Sequence, residues 1–153
     1  MNIACYFCVV VGLSYNLAGA DPLELIFPYD YKGNIDKVKF NEPSGLVFHP
    51  ARGTIFAVGD GGDLCEIRTD GTVVKNVHHS EADYEGITCD PATGLLYVAV
   101  EGKEQIIELD PEDFALRRTF QLNRVVAGKA VLKEGGQGIE GIAFVPDAEH
   151  PEG

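Results

Sequence analysis

Pro43-Ser44-Gly45-Leu46-Val47-Phe48-His49-Pro50-Ala51-Arg52-Gly53-Thr54-Ile55-Phe56-Ala57-Val58 returns, 41 residues on, as Tyr84-Glu85-Gly86-Ile87-Thr88-Cys89-Asp90-Pro91-Ala92-Thr93-Gly94-Leu95-Leu96-Tyr97-Val98-Ala99. A third copy opens with Ile139-Glu140-Gly141-Ile142-Ala143-Phe144-Val145-Pro146. The copies are aligned by Gly45, Gly86 and Gly141, which lie 41 and 55 residues apart. The extra length of the second interval falls in residues 123–138. That stretch is rich in Gly and Lys and reads as an inserted loop. Self-similarity at such a period is the mark of a repeat architecture.

Within a copy, apolar residues alternate with period 2, as half-buried strands require. Leu46 and Phe48, then Ile55 and Ala57, are read as the inward positions. Pro50-Ala51-Arg52-Gly53 and Pro91-Ala92-Thr93-Gly94 are turns, with Pro fixing φ early and Gly accepting positive φ late. Third strands follow at 63–67 and 105–109, and fourth strands at 72–77 and 115–120. No segment carries a sustained helical stripe. Four short antiparallel strands in about 40 residues make one β-propeller blade. The alternative is a β-sandwich with two similar hairpins. The fold expected is all-β: an incomplete propeller of about two and a half to three blades, cut from one of roughly five or six. Blade-like repeats start near 43, 84 and 139. Leu25, Phe27 and Tyr29 alternate in 23–40, a segment read as outer strands of a further blade. On this template the chain stops after the first strand of its third copy and reads as an N-terminal fragment of a longer protein.

Residues 1–20 carry no charged side chain, and 3–13 are almost wholly apolar. They close on Ala18-Gly19-Ala20, small residues at the positions a signal peptidase inspects. The segment reads as a secretory signal cleaved before Asp21, although no Lys or Arg precedes the apolar run. A buried N-terminal element and a misassigned start are the alternatives. The remainder, 21–153, is then the partial propeller of a secreted or periplasmic protein. Cys5 and Cys8 would leave with the signal. Cys65 and Cys89 sit in apolar strand patterns and read as small buried residues rather than a disulfide.

The chain of 153 residues has 12 Lys+Arg against 24 Asp+Glu, a net charge of −12. That balance leaves no cationic surplus to displace counterions from phosphates, which excludes a nucleic-acid binder. It equally disfavours anionic lipid. Part of the acidity is placed by the repeat. Ser44, Glu85 and Glu140 each precede a repeat glycine, at the start of the strand that lines the channel. Asp60 and Glu101 close the second strands, each 16 residues beyond Ser44 or Glu85, and so return to the same end. The five should gather at one mouth of the channel. Converging carboxylates repel unless protons or a cation intervene. Calcium, with 6–8 oxygen ligands in loose geometry, suits such a set. Solvated acids at strand ends are the plainer reading.

At these residues a resemblance emerges. Asp83-Tyr84-Glu85-Gly86-Ile87-Thr88, Tyr97-Val98-Ala99-Val100-Glu101 and Gly138-Ile139-Glu140-Gly141-Ile142-Ala143-Phe144 resemble the repeat motifs of the SdiA-regulated family. Glu42-Pro43-Ser44-Gly45-Leu46 with Val58-Gly59-Asp60-Gly61-Gly62 is similar to its opening blade. The motifs overlap with NHL-like and phytase-like esterase propellers. The resemblance implies an exported bacterial propeller with a bound Ca²⁺ and no established activity. It implies Glu85 and Glu140 as foremost metal ligands, then Asp60 and Glu101. Ser44 departs from the acidic pattern and would offer a neutral oxygen or a water contact.

Three functions follow as expectations. The first is a calcium-binding propeller that serves structure or captures a small molecule or protein at the channel mouth. The second is a metal-dependent lactonase or esterase, with the ion polarising a carbonyl and His78 or His79 beside it. The third is a protein-interaction scaffold. His49 and His150 fall at blade turns and receive no role. Neither a GxSxG elbow nor a P-loop is present, which lowers serine-hydrolase and nucleotide chemistry.

Overall fold

The computed structural model describes residues 40, 42–80, 82–132, 138–147 and 149. The expected signal segment, residues 23–39, Cys5, Cys8 and His150 lie outside them. No helix occurs among the described residues. Two four-stranded sheets do, each in sequence order. The first is β1 (Pro43–His49), β2 (Thr54–Gly59), β3 (Asp63–Arg68) and β4 (Val73–His78). The second is β5 (Tyr84–Cys89), β6 (Leu96–Val100), β7 (Gln105–Leu109) and β8 (Leu116–Gln121). Every pairing within them is antiparallel. These are two propeller blades, and β5 packs across β1 and β2 of the first.

The turns form as their residues dictate. Gly53 and Gly94 adopt φ of 65° and 78°. Asp90 caps its own turn, accepting from the Ala92 amide at 2.8 Å and the Thr93 hydroxyl at 2.6 Å. That local competition for backbone donors is why Asp favours turns.

The core lies between the blades. Phe56, Val58 and Leu64 of the first meet Tyr84, Ile87, Leu96, Val98 and Val100 of the second. The period-2 alternation holds, but the assigned face requires correction. Val47 packs towards the second blade, whereas Leu46 and Phe48 are 72 % and 51 % exposed. They share the opposite face with Ile55 and Ala57, their cross-strand partners. A blade is apolar on both faces, so alternation alone does not say which face meets which neighbour. On that far face Phe40, Ile55 and Val73 cover Ala57, Cys65 and Ile67. Cys65 and Cys89 are free thiols, buried in separate clusters. Burial pushes the Cys65 thiol up to about 11.

Polar contacts fasten one blade to the next. The His49 Nε2–H donates to the Gly94 carbonyl at 2.8 Å. Lys75 donates to the carbonyls of Pro111, at 2.6 Å, and Glu112, and its ammonium stands 4.4 Å from the Phe114 ring centroid. Arg52 bridges Glu66, which is buried, and Glu112, on the second blade's turn. Glu66 also accepts from the Thr54 hydroxyl at 2.7 Å. Burial works against its charge, yet Arg52 and Thr54 hold the carboxyl below its ordinary range. The second blade repeats the device with Arg118, Tyr97 and Glu108.

The stretch read as a loop over 123–138 contains a short hairpin, β9 (Val125–Val126) with β10 (Lys129–Ala130). Both of its turn residues, Ala127 and Gly128, take positive φ. That is the two-residue hairpin geometry whose twist matches its strands. Described residues of the third copy form no ladder, because no second strand is paired with them among the described residues. They are nonetheless docked on the second blade. The Phe144 amide donates to the Thr88 hydroxyl at 3.1 Å, and the Phe144 ring stacks on Tyr97 with centroids 5.8 Å apart.

Candidate functional site

The three repeat glycines stack against one another. A Cβ on Gly45 would lie 3.0 Å from Gly86 Cα and 3.2 Å from the Glu85 carbonyl oxygen. One on Gly86 would lie 2.9 Å from both Gly141 Cα and the Ile142 nitrogen. Innermost strands therefore touch backbone to backbone, an approach closed to any residue with a Cβ. That contact brings the residues before each glycine together at one end of the strands.

A second device aims them. The β1–β2 register jumps between Pro43 and Gly45, and the β5–β6 register jumps between Tyr84 and Gly86. Ser44 and Glu85 are thus the extra residues of β-bulges, which leave the ladder and re-aim their side chains. Pairing resumes beyond them. The Asp60 amide donates to the Glu42 carbonyl at 3.2 Å, and the Glu101 amide to the Asp83 carbonyl at 2.9 Å.

The outcome is a carboxylate cluster. Asp60, Asp83 and Glu85 each present an oxygen within 4.8 Å of the others. Ser44 donates its hydroxyl to Asp60. Burial first, then the charges of Asp60, Asp83, Glu140 and Glu101, push the Glu85 carboxyl up from 4.5 to about 7. Asp83 is raised as well, by burial and then by Glu101 and Asp60. The structure therefore joins Ser44 to Asp60, brings the Glu85 carboxylate within 4.8 Å of that of Asp60, and leaves Glu101 and Glu140 within electrostatic reach. Glu101 is buried, and its carboxylate accepts the Gly138 amide at 2.7 Å. Glu140 is exposed.

Asp83 was missed by the repeat alignment. Its counterparts three residues before each glycine are Glu42 and Gly138, so the column is not uniformly acidic. The usable signal was the Asp83-Tyr84-Glu85 alternation, which buries Tyr84 and leaves two acids at the strand's end.

The loop histidines have partners of their own. His78 Nδ1 is hydrogen-bonded to the buried Asp63 at 2.9 Å, and His79 Nδ1 to the Tyr84 hydroxyl at 2.8 Å. The loop is pinned by the His79 amide on the Gly62 carbonyl at 2.8 Å. A Cβ on Gly62 would meet the His79 carbonyl oxygen at 2.0 Å, and Gly62 adopts φ of 81°.

The raised Glu85 carboxyl fixes a pH dependence. Without divalent cations, the folded protein binds this proton more tightly than the unfolded chain does. Stability should therefore fall as pH rises from about 4.5 to about 7, the window between its ordinary and folded values. Glu66 and Glu108 act in the opposite sense and lower down, because their carboxyls are held below the usual range. Urea unfolding across this pH range should show the decline, and Glu85→Gln should flatten it. A slope unchanged by that substitution would assign the effect elsewhere.

The site's donor set fits a hard cation. Two oxygens on one calcium at about 2.4 Å each can stand no more than about 4.8 Å apart. The three carboxylates meet that limit pairwise.

No curated protein matches this sequence. Solved structures similar to it include hydrazine synthase of Kuenenia stuttgartiensis, at 16 % identity and TM-score 0.54 over 72 % of this chain and 28 % of that one. Sqt1 of Saccharomyces cerevisiae is similar at 14 % identity and TM-score 0.50, over 67 % of this chain and 28 % of that one. At such identity the likeness concerns the fold alone. The chain spans under a third of the length of either protein. The family model "SdiA-regulated" matches residues 25–150, and the chain, a partial β-propeller, belongs to that family.

Proposed function

We propose that this chain is part of an exported calcium-binding propeller, serving as a binding or structural module. The observation that carries the reading is the convergence of Asp60, Asp83 and Glu85 within 4.8 Å of one another. Three acids drawn together by backbone contact repel, and a divalent cation relieves that repulsion more fully than one proton can. Ligands from two blades would tie those blades together. Asp60, Asp83 and Glu85 form the inner set, Glu140 completes it from the third copy, and Ser44 holds Asp60 in place. Calcium is favoured over magnesium because ligands from separate strands give loose rather than octahedral geometry. The channel mouth is where a small molecule or protein partner would meet the ion. Export rests on the uncharged, apolar character of residues 1–20.

The test is a titration of the protein with CaCl₂, MgCl₂ or a chelator, followed by thermal unfolding and calorimetry. Calcium at about 100-fold over Kd should raise Tm by roughly 5–10 °C. Glu85→Gln should abolish most of that rise, and magnesium should give less. A calcium response that is absent, or that Glu85→Gln leaves intact, overturns the reading.

A further inference from the structure

The inserted stretch leaves the second blade after β8 and returns at Gly138, two residues before Glu140. Both of its ends are fastened to one turn. The Leu122 amide donates to the Glu104 carbonyl at 2.8 Å, and Arg124 pairs with the Glu104 carboxylate. Gln121 donates its side-chain amide to the Lys103 carbonyl at 2.9 Å. At the returning end, the Gly138 amide donates to Glu101 Oε1 at 2.7 Å. Gly138 also sits so close that a Cβ there would lie 3.2 Å from Glu101 Cγ and 3.3 Å from Glu104 Oε1. Glu101 and Glu104 are only 8 % and 6 % exposed. Glu104 takes φ of 45°, the left-handed region that non-glycine residues adopt at a cost.

We propose that residues 101–104 form a two-pronged clamp that sets where Glu140 stands. Glu101 is then a positioning residue, acting on the cation site through Gly138 rather than as a ligand. This inference rests on the calcium reading above. A buried side-chain oxygen that accepts a backbone amide fixes that amide in place, because the donor has no water to turn to if the bond is lost. With Gly138 pinned, Gly141 packed on Gly86 and one residue between Gly138 and Glu140, the Glu140 backbone is held from both sides. The long insertion can then vary without disturbing the site, because its two ends converge on this turn.

Glutamine at 101 keeps an oxygen acceptor and discards the charge, whereas alanine removes both. Calcium affinity would be measured by calorimetry for the full-length wild type, Glu101→Gln and Glu101→Ala. Amide exchange over residues 138–141 would be followed in parallel without calcium. Glu101→Ala should speed exchange and weaken calcium binding by about 10–100-fold, the weight of one hydrogen bond to a charged group. Glu101→Gln should stay within about fivefold of wild type in both readouts. Loss in Glu101→Gln as large as in Glu101→Ala would make Glu101 a ligand and overturn the proposal. Unchanged exchange in Glu101→Ala would overturn it too. If the wild type takes up no calcium, the proposed function falls, and the exchange measurements alone uphold or overturn the clamp.

Discussion

Phe56→Ala should destabilise the protein by about 3–5 kcal/mol, which is a large share of the roughly 5–15 kcal/mol that holds a typical domain together. Phe56 is fully buried where the first blade meets the second. Its ring meets Phe114 edge-on at 5.9 Å and His49 at 5.6 Å. Phe114 is delivered from the second blade's turn at a φ of 60°, so its position is fixed by backbone as well as packing. Neither side can collapse into the vacated space without breaking the Lys75 and His49 bonds that span the blades. Phe56→Leu, which keeps most of the volume, should cost under about 1.5 kcal/mol. Urea unfolding of the two variants checks both figures. Equal, small losses would show that the blades are held by their polar contacts instead.

The next largest effect is expected at Gly86. Its Cβ would be thrust against Gly141 and Ile142 backbone atoms at 2.9 Å, while Gly45 presses from the other side. Main chain cannot swing aside as a side chain can. Gly86→Ala should therefore cost at least about 1–3 kcal/mol, the ordinary penalty of overpacking. It should also weaken calcium uptake, because Glu85 and Glu140 flank the displaced contact. Gly61→Ala is the control, since its Cβ would meet only the Asp63 carboxylate at 3.9 Å. A Gly86→Ala protein as stable as Gly61→Ala would refute the backbone contact.

Most of the architecture was legible because a repeat compares the chain with itself. Strand positions, turn residues and the antiparallel order follow from alternation and from Pro and Gly at matching places. What escaped was whatever depends on a neighbour. Alternation points Leu46 and Phe48 inward, but both faces of a blade are apolar and only the adjacent sheet decides which is covered. The bulges at Ser44 and Glu85 leave no local mark, since a one-residue register shift is defined by the partner strand. The small hairpin at residues 125–130 was hidden because Ala127 sits where Asn or Gly is the usual choice.

The carboxylate cluster was legible as a grouping and illegible as geometry. Offsets of 16 residues correctly placed Asp60 beside Ser44. They could not show that Glu101 is bonded to Gly138, because the insertion that supplies Gly138 has no counterpart in the first copy. Nor could they bring in Asp83, whose role depends on the bulge at the next residue but one.

The bulge residue is mechanically separate from the blade that carries it. It pairs with no strand and packs in no core, so the same station holds Ser44 in one copy and Glu85 in the next over an otherwise matching register. Each of the two described blades thus carries one exchangeable position at the same end of its first strand. The charge of the cluster can be changed in single steps, blade by blade, without shifting the register of either ladder. If the proposed cation site holds, its affinity would be tuned at these stations without rebuilding a sheet.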